Sequence, residues 1–214
     1  MSVVERVLLR DRAAALLREA IVSGELPPGG VVKDAELAGR LGLSVAPVRM
    51  ALARLADEGL VESKPQSHTR VTAVVPSVVH DAAVVVRAMH ELAVATGVPR
   101  VTAEDLAAMR DANARFAAAV AAGDVDTALA CDDELHDVLV DRAGNGAVRA
   151  TVDRFTPLVR RLERLRFGAA HGADSVDLHD RLITACEHRD VEAAVRTTTA
   201  IWTALLSELT EENP

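Results

Sequence analysis

The chain has 214 residues, 50% of them hydrophobic and 26% charged, so it is long enough to bury a core and too apolar for disorder. Its formal charge of −8, from 24 Lys and Arg against 32 Asp and Glu, argues on its face against a nucleic-acid partner. No uncharged apolar run is long enough to span a membrane, charged residues from Glu5 to Arg12 interrupt any leader-like stretch, and Cys131 and Cys186 form no CxxC pair; a cytoplasmic protein with buried thiols is expected.

With three Phe, one Trp and no Tyr, the apolar mass is Ala, Val and Leu, which favours helices over sheets. Arg12 to Val22 reads as an amphipathic helix with Ala13, Leu16, Leu17, Ala20 and Ile21 on one stripe, ended by Gly24. Leu26-Pro27-Pro28-Gly29-Gly30 cannot be helical. A second, short helix starts near Asp34 and stops at Gly42. A third starts at Ser44, tolerates Pro47 in its first turn, buries Val48, Leu52, Leu55 and Ala56, and stops at Gly59. Val61 to Lys64 and Thr69 to Thr72 alternate as strands around Pro65-Gln66-Ser67-His68, the pattern of a hairpin.

Splitting the chain at Pro76 changes the electrostatic picture. Residues 1–75 carry 10 basic and 9 acidic residues, a net of +1, whereas 76–214 carry 14 and 23, a net of −9. Two domains with different partners follow. Helices are expected in the second part at 77–96, 103–122, 125–142, 146–166, 175–188 and 191–210, with breaks at Gly97-Val98-Pro99, Gly123-Asp124, Ala143-Gly144-Asn145, 167–174 and Arg189-Asp190. The predicted fold is mostly α: a winged helix-turn-helix with a small β-hairpin wing over 1–75, then an all-α antiparallel bundle of about six helices over 76–214.

The segment LREAIVSGELPPGG, followed by AELAGRLGLSVAPVRMALARLADEGLVESKP, closely resembles the DNA-binding domain of the GntR family of bacterial transcription regulators over about residues 8 to 72. The resemblance implies that the third helix enters the major groove. Ser44 and Arg49 at its start, Arg54, and the wing residues Lys64, Gln66, Ser67, His68, Thr69 and Arg70 become the candidate DNA contacts. Arg49 stands where the family has an arginine, and its fork matches the two acceptors of guanine. Arg54 lies along the DNA backbone or pairs with Glu58 one turn on. Where the family commonly has Ser-Arg-Thr-Pro-Val-Arg-Glu, this chain has Ser44-Val45-Ala46-Pro47-Val48-Arg49-Met50, and Ser67-His68 replace an Arg-Gly pair at the wing tip. These losses imply a different operator or weak binding; the positive charge kept at Arg49, Lys64 and Arg70 favours the first.

The second part resembles, more loosely, the FCD effector-binding domain of the FadR subfamily, over roughly residues 77 to 209. It is carried by Asp132-Asp133-Glu134-Leu135-His136, Ala143-Gly144-Asn145, and His179 with Asp190 opening the last helix. The family joins such an Asp and His to two further His residues around a divalent metal. Asp132 and His136, four residues apart, share a helix face, and His179 comes from another helix. The fourth family histidine falls at Ile201, which ligates nothing, so Zn, Ni or Mn would be completed by water or an effector carboxylate; without the family pattern, Asp132 and His136 read as an ordinary ion pair.

Arg87 matches an arginine that faces the family pocket and is the candidate clamp for a small carboxylate, unless it pairs with Glu91. His90 is a second pocket donor or a surface residue, and Asn145 an effector residue or a helix cap. Arg160, Arg161, Arg164 and Arg166 read as a solvated face or a pairing with Glu163, Trp202 as core or dimer contact, and His171 and His188 as solvated. The implied function is a ligand-responsive regulator that binds palindromic double-stranded operator DNA as a homodimer. A metal-dependent enzyme and a DNA-binding protein with a decayed pocket are the alternatives, the enzyme disfavoured because HExxH, activated Ser or Cys sets and Gly-rich phosphate loops are missing.

Overall fold

The computed structural model describes residues 8–64, 68–166 and 169–210. The chain divides into two compact units, Met1–Val75 and Pro76–Pro214. In the first, α1 (Leu9–Val22) packs on α3 (Val45–Asp57), with Ala13, Ala14, Leu17 and Ile21 of one and Val48, Ala51, Leu52 and Leu55 of the other buried. Burial of such Val and Leu side chains contributes about 1.5–3 kcal/mol each. Beside this apolar seam, Arg18 grips buried Glu58 with two bonds, Nε to Oε2 at 2.9 Å and Nη2 to Oε1 at 2.7 Å.

Between them, α2 (Asp34–Leu41) ends at Gly42, whose φ of 65° lies in the left-handed region that a side chain would strain. The Leu43 amide then turns back to the Ala38 carbonyl at 3.0 Å, which fixes the tight connection into α3. Ser44 occupies the cap position of α3, but its side chain makes no capping hydrogen bond.

The expected hairpin forms from β2 (Val61–Lys64) and β3 (His68–Val71), the second strand one residue earlier than the alternation suggested. A further strand, β1 (Val31–Val32), pairs with the other edge of β3 and gives the sheet order β1-β3-β2. Two residues show no alternation, so β1 had no sequence signature.

The second unit contains α4 (Pro76–Gly97), a 3-10 turn (Val98–Arg100), α5 (Ala103–Ala122), α6 (Val125–Ala143), α7 (Gly146–Arg166), α8 (Ala169–Glu187) and α9 (Val191–Thr210). Thr102 and Asp105 form a capping box at the start of α5, and Asp124 caps α6. The expected break over 167–174 is corrected: α8 begins at Ala169, six residues ahead of Ser175. Ala169, Ala170 and Ala173 are strong helix formers and carry the one glycine among them at a cost of about 1 kcal/mol.

Helix α4 lies against α6, α7 and α9, α5 against α6 and α8, and α8 against α9. Met109, Leu135, Leu139, Leu182 and Cys186 are buried together at the centre. Among the described residues no helix is long and apolar enough to cross a membrane.

Candidate functional site

Three ligand-type side chains converge inside the second unit, from two helices. Asp132 and His136 stand one turn apart on α6, and His179 projects from α8; their ligand atoms all lie within 4.8 Å of one another. Asp132 Oδ1 is 3.1 Å from His179 Nε2 and 3.8 Å from His136 Nε2. His179 is fully buried.

The tautomer of His179 follows from its neighbour. Asn113 on α5 donates its amide hydrogens to the Val176 carbonyl at 3.2 Å and to Asp180 Oδ1 at 2.7 Å, so its oxygen faces His179 Nδ1 at 3.0 Å. Nδ1 therefore carries the hydrogen and Nε2 a lone pair. That lone pair is buried, has no hydrogen-bond partner, and confronts a carboxylate oxygen. Two lone pairs at this distance repel unless a cation or a proton lies between them.

The second oxygen of Asp132 is held by Arg160 of α7. The same guanidinium donates from Nε to Asp133 Oδ1 at 3.0 Å and from Nη1 to Glu163 Oε2 at 2.8 Å. Burial works against the charged form of Asp132, but the Arg160 guanidinium leads in outweighing it, and the carboxyl is held well below its usual range. Burial likewise opposes the charge on Arg160, and the surrounding carboxylates more than compensate. Glu163 is pushed up to about 7, by burial first, with Arg160 pulling the other way.

Of the two readings of Arg160, the pairing with Glu163 forms and the solvated face is corrected: its side chain is only 11% exposed. Arg161 is buried too. Residues 160, 161 and 164 fall within about 100° of one another around the helix, so they share a face, but at Arg160 and Arg161 that face is turned inward. Asn113 was also missed, although Met109, Ala112, Asn113 and Phe116 fall on one buried stripe and a polar residue there signals a buried partner.

His90 belongs to the site but not as a ligand. It is buried, stacks on His136 with ring centroids 5.4 Å apart, and accepts at Nδ1 from Trp202 Nε1 at 3.2 Å. Its Nε2 therefore carries the hydrogen. Burial, then His136 and Arg160, lower its pKa to about 3, and burial also leads in taking His136 to about 4; both rings are neutral at pH 7. Ile201, at the fourth family position, packs against the apolar core.

Two effector candidates sit elsewhere. Arg87 Nε donates to Glu91 Oε1 at 2.8 Å, an acid that also accepts from Thr199, so the guanidinium is engaged along its own helix. Asn145 Oδ1 accepts from the amides of Ala147 at 3.0 Å and Val148 at 3.3 Å: it caps α7. His188 is exposed, and the His171 side chain lies outside the described residues.

In the first unit, Arg49 is exposed and donates from Nε to Asp34 Oδ2 at 3.0 Å. Arg54 binds Glu58 at 3.0 Å and approaches Asp11 at 3.5 Å. On the wing, Arg70 Nε donates to His68 Nε2 at 3.0 Å and lies 3.5 Å from Glu62, while Thr69 and Ser63 share a hydrogen bond of 3.0 Å. The Lys64 side chain, Gln66 and Ser67 lie outside the described residues.

Residues 9–71 match the family described as bacterial regulatory proteins, gntR family, and residues 81–204 match the FCD domain. An uncharacterized HTH-type transcriptional regulator of Agrobacterium vitis is 33% identical over 127 residues, which is 58% of this chain and 74% of that protein. The uncharacterized HTH-type transcriptional regulator YdhC of Bacillus subtilis is 22% identical over 180 residues, 83% of this chain and 80% of its own. The E. coli protein McbR/YncC shares the fold at a TM-score of 0.84 and 20% identity, over 96% of this chain and 99% of that one.

Proposed function

Because the chain belongs to the GntR family of transcription regulators and carries an FCD domain, we propose that it reads palindromic operator DNA as a homodimer and senses a small carboxylate inside its bundle. It is a regulator and not an enzyme. In the reading head, α3 lies in the major groove with Arg49 at the base edges and the wing beside the backbone. Two such heads on one dimer match the two halves of a palindrome, and doubling the contact raises an affinity that one small module does not reach alone.

In the bundle, Asp132, His136 and His179 hold a divalent ion such as Zn, Ni or Mn. The observation that carries this is the buried, unpartnered Nε2 lone pair of His179 facing the Asp132 carboxylate. First-row divalent ions bind such ligands at about 2.0–2.2 Å, which places neighbouring ligand atoms about 3–4 Å apart. When bound, the ion supplies an open position for an effector carboxylate oxygen. The chain's own residues do the rest: Asn113 fixes the His179 ring, Arg160 fixes the Asp132 carboxylate, and the Nε2–H of His90 offers a neutral donor. An acid bound there shifts the balance between arrangements of the two reading heads and so controls operator occupancy.

Calorimetric titration of chelator-treated protein with Zn, Ni and Mn, with elemental analysis, is expected to show one ion per chain, lost in Asp132→Ala and in His179→Ala. Thermal-shift screening of organic acids with and without chelator then tests the effector. If no ion binds and no acid stabilises, the sensing half of the proposal fails, leaving a DNA-binding regulator with an unresponsive bundle.

A further inference from the structure

Up to Ala53, the exposed side of α3 consists of Val45, Ala46, Arg49, Met50 and Ala53, positions that share one face of a helix, and Arg54 and Asp57 are exposed in the turn that follows. Apart from Arg49 that face is apolar up to Ala53, and Val45 and Met50 are 37% and 50% exposed. From Val45 to Ala53 the reading helix offers one cation and no hydroxyl, amide or acid on that face, a restricted vocabulary. Arg recognises guanine through O6 and N7, and apolar side chains recognise the 5-methyl group of thymine.

Arg49 is not free to choose its geometry. Asp34 opens α2, where the positive end of the helix dipole favours a carboxylate, and it accepts from Arg49 Nε at 3.0 Å. The acid is the anchored partner, 29% exposed against 73% for Arg49. Because the contact uses Nε, the two terminal amino groups of Arg49 carry no partner among the described residues. These are the groups that form an end-on fork.

We propose that Asp34 is the positioning residue for base reading, holding Arg49 so that its terminal fork meets one guanine per half-site, while Val45 and Met50 contact methyl groups of adjoining thymines. This rests on the DNA-reading function above and deepens it. The arrangement trades general affinity for discrimination: a carboxylate near the groove repels phosphates at every sequence, but pre-orders the arginine for one base.

The test starts from full-length protein and a pool of randomised duplexes, from which the preferred half-site is selected. Binding is then measured on that duplex, on one with 7-deazaguanine at the selected guanine, on one with uracil for the adjoining thymines, and on a scrambled duplex. Wild type is expected to lose about 10-fold or more on removal of guanine N7 and a few-fold on removal of the methyl groups. Asp34→Asn is expected to lose most of the N7 discrimination while binding the scrambled duplex up to a few-fold more tightly, a gain that an unfolded variant cannot show. In an Arg49→Ala background, Asp34→Asn has no further effect on discrimination. Full N7 discrimination in Asp34→Asn, with Arg49→Ala having lost it, overturns the positioning role and leaves the DNA-reading function standing. Unchanged discrimination in Arg49→Ala overturns the reading of Arg49 itself, and a pool that yields no preferred duplex overturns both.

Discussion

Arg160 holds three carboxylates and is itself buried, so its removal strands charge rather than deleting one surface pair. Breaking a buried pair from one side costs about 3–5 kcal/mol. Arg160→Met is therefore expected to lower the denaturant midpoint by that order in chelator-treated protein, with an unchanged slope; a shift of a few tenths of a kcal/mol would place Arg160 among ordinary surface pairs. His90 makes a pH prediction of definite sign. Held neutral down to about 3, against an ordinary 6.5, it takes up its proton in the unfolded chain first, so it withdraws stability as pH falls below 6.5. Glu163, raised from 4.5 to about 7, acts in the opposite sense over that range. His90→Phe is expected to flatten the fall of unfolding free energy between pH 6.5 and 4, read from denaturant melts at each pH, by up to about 1.4 kcal/mol per pH unit. The convergence of Asp132, His136 and His179 was legible because a spacing of four fixes two residues on one face and the family pattern supplied the third. Arg160 and Asn113 were not, because a charged residue in a basic run and a polar residue among alanines declare their burial only once a second helix is placed against them.

Helices α4 and α6 approach closely at Gly97. A Cβ there would stand 2.6 Å from the Leu139 carbonyl oxygen and 3.3 Å from the Ala143 amide nitrogen, both backbone atoms that cannot swing aside. Gly97→Ala is expected to cost about 1–3 kcal/mol as overpacking, read from the denaturant midpoint. Gly39→Ala on α2, where nothing lies within 4 Å, is expected to stabilise by about 0.5–1 kcal/mol. In the sequence Gly97 reads as a helix breaker beside Pro99. The structure gives it another reason: it is the last residue of α4 and the point where two backbones meet. Element existence was otherwise plain from periodicity and punctuation. The start of α8 was hidden by Gly172 and β1 by its brevity, both places where local signals are weak and packing decides.

Over the whole chain, the charge of −8 hides a reading unit of +1, and intramolecular pairing thins even that. Arg18 and Arg54 are engaged by Glu58, Arg40 by Glu25, and Arg70 faces Glu62. If Lys64 and Arg70 of each protomer carry the phosphate contacts of a dimer while Arg49 reads a base, the slope of log K against log salt should be about −4 or shallower. A slope near −10 would mean that other cations carry the binding. Between pocket and helix, the shared carboxylate of Asp132 does something that a list of ligands conceals. One of its oxygens faces the histidines of α6 and α8, the other grips an arginine on α7. Thermodynamic reciprocity then requires that whatever factor an ion changes the seating of α7, the seating of α7 changes the affinity for the ion by the same factor. An ion held as proposed and the position of α7 would need no intermediary to inform each other, since both would act on a single carboxylate.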